Sequence, residues 1–280
     1  MLSESFEEPT DLLRAYRKSH VFFAAHELGV LDFINNKSVS CDTIAKELEI
    51  SNDGLNRLLS ALCAMGIIIK ENVNYSISED YMTYLDPLSV DYIGDLINHE
   101  VHLNKRWTKL SKSIKTGKPV KKWDEPTNPD DAQRFIKAMA NMGHRSAPIL
   151  LEKISFNGNE HLLDLGGGPG KYIEQFCERY PDMRLSLFDQ PETIKTAQSV
   201  LSTQKCYDNI TFISGNFIDD FIGKDYDIIF SSNVIHIFNP KEVKIIFDKC
   251  FQSLKSGGRL LIKDFFLNDD YTGPEFTALF

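Results

Sequence analysis

Apolar residues in the first third of the chain recur every three to four positions. Across residues 19–35 they fall at Val21, Phe22, Ala25, Leu28, Leu31 and Ile34, the spacing of one helix with a buried stripe. His20 and His26 sit among them as packing residues. Two shorter helices are predicted over 41–48 and 55–65, joined by a polar turn at 49–54. Residues 67–70 and 74–78 then read as the strands of a small hairpin. Helix, turn, helix and β-wing together make a winged helix.

Farther along, the pattern changes to short, continuous apolar runs. Residues 161–165, 184–188, 210–214, 225–231 and 259–265 read as buried parallel strands, alternating with helices such as 172–180 and 241–254. That rhythm predicts an α/β fold, a Rossmann-like doubly wound sheet whose ligands lie at the carboxyl ends of its strands. Between the two halves, 87–119 carries a helix with Asn98, His99, His102 and Trp107. The two histidines share a face, but no third ligand of matching spacing accompanies them, so a solvated or substrate-lining helix is the expectation rather than a metal site. Residues 115–131 read as a polar connector. Residues 132–154 form a long amphipathic helix bearing Phe135, Met139, Met142 and Leu150 on one side, a stripe that suits plain core or the wall of a substrate pocket. The expected organisation is a winged-helix domain at 1–100, linking helices at 101–154 and the sheet domain at 155–280.

The strand at 161–165 runs straight into Gly166, Gly168 and Gly170, with Asp164 two positions before the first glycine. Glycines let a strand turn tightly into a helix where a Cβ would strike a ligand, and the helix start offers free N–H groups to an anion. A dinucleotide fingerprint wants a further glycine where Lys171 stands. Asp189 closes the second strand, where an acid can accept both ribose hydroxyls of an adenosine ligand or simply open a turn before Pro191. Asn216 and Phe217 follow the third strand. An amide and an aromatic face suit an adenine, and a turn with a core phenylalanine suits the spacing equally. After the fourth strand, Ser231 and Ser232 lead to His236, placed at the mouth of the sheet as a general base or as a structural cap.

The apolar fraction of 42% suits real cores, and a formal charge of −9 disfavours a nucleic-acid surface. Arg57 is the one basic residue across 54–65, so this helix is built for burial and the winged helix for dimerisation rather than DNA. No stretch reaches the length of a membrane span, and the acidic residues 1–8 are no signal peptide, which points to the cytoplasm. Cys41, Cys63, Cys177, Cys206 and Cys250 lie far apart and are expected as free buried thiols.

The succession DLGGGPG, FDQP, GNF, YDIIFSSNVIH and LKSGGRLLIKDFF resembles the class I O-methyltransferases of the caffeate, hydroxyindole and polyketide-tailoring type, which depend on S-adenosylmethionine (SAM). AAHELGVLDFI and RLLSALCAMGIIIK resemble the dimerisation domain of the same family. The resemblance implies a homodimer that methylates a hydroxyl of a small aromatic or polyketide-like acceptor. No metal is expected, because the carboxylates Asp164, Asp189 and Asp264 fall at different strand ends. The resemblance also implies that Gly166 and Gly168 hold the amino-acid part of SAM, Asp189 the ribose, and Asn216 and Phe217 the adenine, with Asp164 and Gln190 also among the cofactor-binding residues. Ser232, with Ser231 beside it, falls where plant relatives contact the cofactor through Lys. His236 falls on the base and Asp264 on the acid that steadies it, one methylene shorter than the usual Glu. Ile237 and Phe238 stand where relatives carry Asp-Trp. Phe280 falls inside a helix, before the antiparallel strand pair that completes the family's sheet, so the C-terminal strands are expected to be missing. Three other readings stay open: a nicotinamide oxidoreductase, a SAM-sensing winged-helix regulator, and a family member that carries out C-methylation, decarboxylation or hydroxylation.

Overall fold

A computed structural model describes residues 8–120 and 129–280. Contacts divide the chain into two compact units, Met1–Lys121 and Lys122–Phe280, so the segment 101–154 is shared between them. Residues 121–128 of the expected connector and residues 1–7 of the acidic start lie outside the described residues.

The first unit begins with α1 (Pro9–Leu12), α2 (Tyr16–Glu27) and α3 (Val30–Ile34), followed by β1 (Val39–Ser40), α4 (Cys41–Glu47) and α5 (Asn52–Ala64). Next come β2 (Ile68–Glu71), β3 (Asn74–Ile77), α6 (Glu79–Leu85), α7 (Gly94–Trp107) and α8 (Leu110–Thr116). The single helix expected over 19–35 is two, because Gly29 adopts a left-handed conformation (φ 71°) that ends α2 and caps α3. Likewise, the helix expected within 87–119 is divided into α7 and α8. Ser40 and Ser51 accept bonds from the Thr43 and Gly54 N–H groups, which fixes the starts of α4 and α5. Leu55, Leu59 and Leu62 of α5 pack with Leu31, Ile34 and Ile44 in one core, over an antiparallel sheet of order β1-β3-β2. The winged helix is therefore present as read.

In the second unit, α9 (Pro129–Lys153) precedes β4 (His161–Leu165), α10 (Lys171–Arg179), β5 (Arg184–Asp189), α11 (Pro191–Leu201) and β6 (Ile210–Ser214). Then follow β7 (Tyr226–Ser232), α12 (Pro240–Ser253), β8 (Leu254–Lys263) and α13 (Glu275–Leu279). The described sheet has order β6-β5-β4-β7-β8, and every pairing is parallel. Because side chains alternate across a strand, Leu162, Leu185, Leu187 and Ile228 pack on one face against α9, α10 and α11. Leu163, Leu165, Phe188 and Ile229 pack on the other against Ile246 and Cys250 of α12. Gly143 lets α9 close on α10, since a Cβ there would lie 2.9 Å from the Lys171 Cβ. From β4 the chain winds outward to β6 and then crosses back to β7. The crevice at this reversal, above the carboxyl ends of β4 and β7, is where such sheets bind ligands.

One expectation is corrected. Cys177 of α10 and Cys206 form a disulfide across 29 residues, leaving Cys41, Cys63 and Cys250 free. Their spacing carries no sign of pairing; the packing of α10 against the segment after α11 brings them together. Among the described residues, no helix is long and apolar enough to cross a membrane.

Candidate active site

Three left-handed glycines, Gly166 (φ 80°), Gly168 (55°) and Gly170 (84°), carry the chain from β4 into α10. The Gly166 N–H donates to the Phe188 carbonyl at 2.8 Å, pinning the turn to the end of β5. A Cβ on Gly166 would lie 2.4 Å from Val234 Cγ2, so this position excludes any side chain. At Gly168 a Cβ would meet nothing within 4 Å. The backbone there faces open space, and its N–H donates to Asp189 Oδ2 at 2.8 Å.

Asp164 is fully buried, and neither carboxylate oxygen has a hydrogen-bond partner. Burial, reinforced by the nearby charge of Asp189, pushes its pKa up to about 8. Asp189 accepts from Gly168 N–H and, through Oδ1, from the Gln190 N–H at 2.7 Å. Burial raises its pKa against the pull of those bonds. The Thr193 side chain also bonds to Asp189, so of the roughly four lone-pair sites of a carboxylate one is left for a ligand hydroxyl. Gln190 is exposed at the start of α11.

Beyond β6, the Asn216 side-chain oxygen accepts from the Ile218 N–H at 2.7 Å and the Asp219 N–H at 3.3 Å. Its NH₂ is therefore the part of the side chain left to meet a ligand, as a donor rather than an acceptor. Phe217 is buried, its ring 5.3 Å from that of Phe188 and directly under Gly166. Ser231 is not brought to the crevice: it is buried, and its hydroxyl donates to the Leu165 carbonyl. Ser232 Oγ donates to the Tyr172 hydroxyl at 3.2 Å, which in turn shares a 2.8 Å bond with Ser146 of α9. Tyr172 and Ser146 thus hold the Ser232 hydroxyl, and nothing in their spacing signals it.

His236 lies in a single 3₁₀ turn, Ile235–Ile237, just after β7. Its Nδ1 pairs with Asp264 Oδ1 at 2.6 Å, so in the neutral ring the carboxylate takes the Nδ1–H bond and Nε2 is the acceptor nitrogen. Asp264 also accepts from the N–H groups of Ile235 (2.9 Å) and Phe265 (2.8 Å), and its side chain is 3% exposed against 26% for His236. Burial alone would raise the Asp264 carboxyl, but the imidazole and the backbone donors hold it below its ordinary value. Despite its shorter side chain, Asp264 reaches the ring. The ring of Phe280 stands 4.8 Å from the imidazole and 4.3 Å from that of Phe265, with Phe276 completing the group. Sequence reading missed this aromatic wall, although five aromatic residues between 265 and 280 were a visible cue. It looked instead to α9, where Phe135 is 48% exposed and Met139 and Met142 are half-buried.

An unpartnered buried carboxylate, an open glycine backbone and an acid with a lone pair to spare suit a nucleoside ligand that carries a cationic amino-acid end. SAM has that chemistry. Comparison with known proteins agrees. Residues 116–280 match the O-methyltransferase domain family, and residues 10–83 match the O-methyltransferase dimerisation domain family. A 3-hydroxy-5-methyl-1-naphthoate 3-O-methyltransferase of Streptomyces sahachiroi is 22% identical over 96% of this chain and 80% of its own. A mitomycin biosynthesis 6-O-methyltransferase of Streptomyces lavendulae is 21% identical over 92% of this chain and 77% of its own. Among solved structures, human N-acetylserotonin methyltransferase in complex with SAM superposes with a TM-score of 0.84 at 21% identity, covering 99% of this chain and 86% of that one.

The raised pKa of Asp164 has a consequence for stability. The folded chain keeps a proton up to about pH 8 that the unfolded carboxyl releases near 3.8, so this group makes stability fall as pH rises through that window. Asp164→Asn has no proton to lose. In thermal unfolding of ligand-free protein, its stability relative to the parent should rise steadily from about pH 4 to about pH 8 and then level off. A difference that does not vary with pH would contradict the buried, unpaired carboxyl.

Proposed function

Because the chain belongs to the O-methyltransferase family, whose members draw on SAM, we propose that it methylates a hydroxyl of a small aromatic or polyketide-like molecule with His236 as general base. The 2.6 Å pair of His236 and Asp264 carries this reading. Asp264 holds the proton on Nδ1 and so points a basic Nε2 outward, where an acceptor hydroxyl would lie. As that hydroxyl loses its proton to Nε2, the imidazolium is steadied by the carboxylate beneath it. Asp164 and the open Gly168 backbone would hold the amino-acid end of SAM, Asp189 with Gln190 the ribose, and the Asn216 amide with Phe217 the adenine. Ser232 contributes through the Tyr172 hydroxyl it binds. When bound, SAM supplies a methyl group already activated by its sulfonium.

Alignment is the larger contribution. Fixing two reactants in line lowers a barrier by about 7 to 11 kcal/mol, while a positioned base adds roughly a hundred- to ten-thousandfold. We assign proton removal to His236 without a metal, because the oxygens of Asp264 are already occupied by the imidazole and backbone N–H groups. The rings of Phe265, Phe276 and Phe280 beside His236 favour a flat aromatic acceptor, in keeping with the naphthoate and acetylserotonin named for the relatives. Phe135, Met139 and Met142 are assigned to the acceptor side as well, on the strength of their stripe along α9.

His236→Ala should lower turnover about a hundredfold or more while leaving SAM affinity nearly unchanged. A base at this position also gives the pH–rate profile an acid-side limb, which the variant should lack. Equal rates and equal pH profiles would reduce His236 to a structural residue.

We assign a homodimer joined through the first unit, on the dimerisation-domain match and the exposed Leu12, Leu13, Tyr16 and Leu28. Light scattering should then read about twice the chain mass of 31.9 kDa. A monomer at micromolar concentration would refute this.

A further inference from the structure

The segment after β6 is held by a set of bonds that the assigned roles leave unexplained. Its Gly215 N–H donates to the Asp189 carbonyl at 3.0 Å, and the Asp220 N–H returns to the Asn216 carbonyl at 3.1 Å. Asp220 Oδ2 accepts the Asn216 N–H at 2.7 Å. The loop is therefore a closed knot of five residues with Asn216 and Phe217 at its head. Lys249, half-buried on α12, reaches across to it. Its ammonium donates to the Asp220 carbonyl at 2.7 Å and to the Phe217 carbonyl at 3.2 Å. Both carbonyls lie outside any helix or strand ladder. Two donor bonds from one charged group fix the loop at both ends of its tightest stretch.

The same helix is anchored at its start. Asn239 accepts from the Lys241 and Glu242 N–H groups while Glu242 accepts from the Asn239 N–H, which closes a capping box three residues after His236. Lys249 thus ties the Asn216–Phe217 loop to a rigid element whose start follows directly on the base.

We propose that Lys249 is a positioning residue for the adenine end of the cofactor: it acts through the Phe217 and Asp220 carbonyls to hold the Asn216 amide and the Phe217 ring in place. The proposal rests on the assignment of Asn216 and Phe217 to the adenine. An ammonium suits the task because it supplies three donors from one point on a long stem, whereas methionine supplies none and glutamine, with two, is shorter.

Titration calorimetry with S-adenosylhomocysteine and with 5′-methylthioadenosine, its adenosine half, tests this on the full chain. Lys249→Met should weaken both ligands about tenfold or more and in the same proportion. KM for SAM should rise likewise, while kcat at saturating SAM stays within about twofold and KM for the acceptor does not move. Lys249→Arg, which keeps charge and donors, should restore most of the affinity. Lys249→Gln carries the same comparison if the methionine variant does not fold. Folded variants that bind both ligands as the parent does, even with a lowered melting temperature, would overturn the proposal and leave Lys249 a structural tie. A parent that binds neither ligand would overturn the adenine assignment and this proposal together.

Discussion

A carboxylate buried without a partner is costly unless it keeps its proton or meets a cation, and that constraint governs the crevice of the second unit. Asp164 lies at the end of β4 against the glycine turn, where a Cβ on Gly167 would stand 2.8 Å from its Oδ2. The acid and the turn therefore require one another. Glycine is needed at 167 for the acid to fit and at 166 for the turn to clear Val234. Together they leave a negatively charged or protonated group under an open backbone, an arrangement that a cationic ligand end would satisfy.

From this point the site is built by residues that each serve two elements. Asp189 binds the glycine turn through its side chain and the Gly215 N–H through its carbonyl, so the ends of β4 and β6 are tied to the same residue. Asp264 binds both the imidazole and the backbone of the turn that carries it. Hydrogen bonds to charged groups are worth about 1.5 to 3 kcal/mol each, which is enough to hold a single 3₁₀ turn in one conformation. Tyr172 joins α10 to α9 and β7 through its hydroxyl, and its ring packs edge-on against Phe230 of β7 at 4.8 Å.

Much of this was legible in the sequence because backbone demands leave traces. The glycines at 166, 168 and 170 mark positive φ, the apolar runs mark strands buried on both faces, and Asp189 and His236 fall at strand ends by counting. Gly29 was equally legible as a helix break, yet the apolar stripe that continues past it at Leu31 and Ile34 hid the change of direction. What stayed hidden depends on tertiary placement. The pairing of Cys177 with Cys206, the diversion of the Ser231 hydroxyl to Leu165, and the use of the Asn216 oxygen by its own loop follow from distances that no spacing records. Lys249 is a helix residue like its neighbours until the carbonyls across from it are known.

Asp164, Gly168 and Asp189 make up the proposed nucleoside site, and the proposed methyl transfer depends on it. Titration calorimetry of the folded full chain with S-adenosylhomocysteine should show one site per chain, weakened by one to two orders of magnitude, roughly, in Asp189→Ala. Absence of binding by the folded parent, or an Asp189→Ala variant that binds as tightly as the parent, would contradict it.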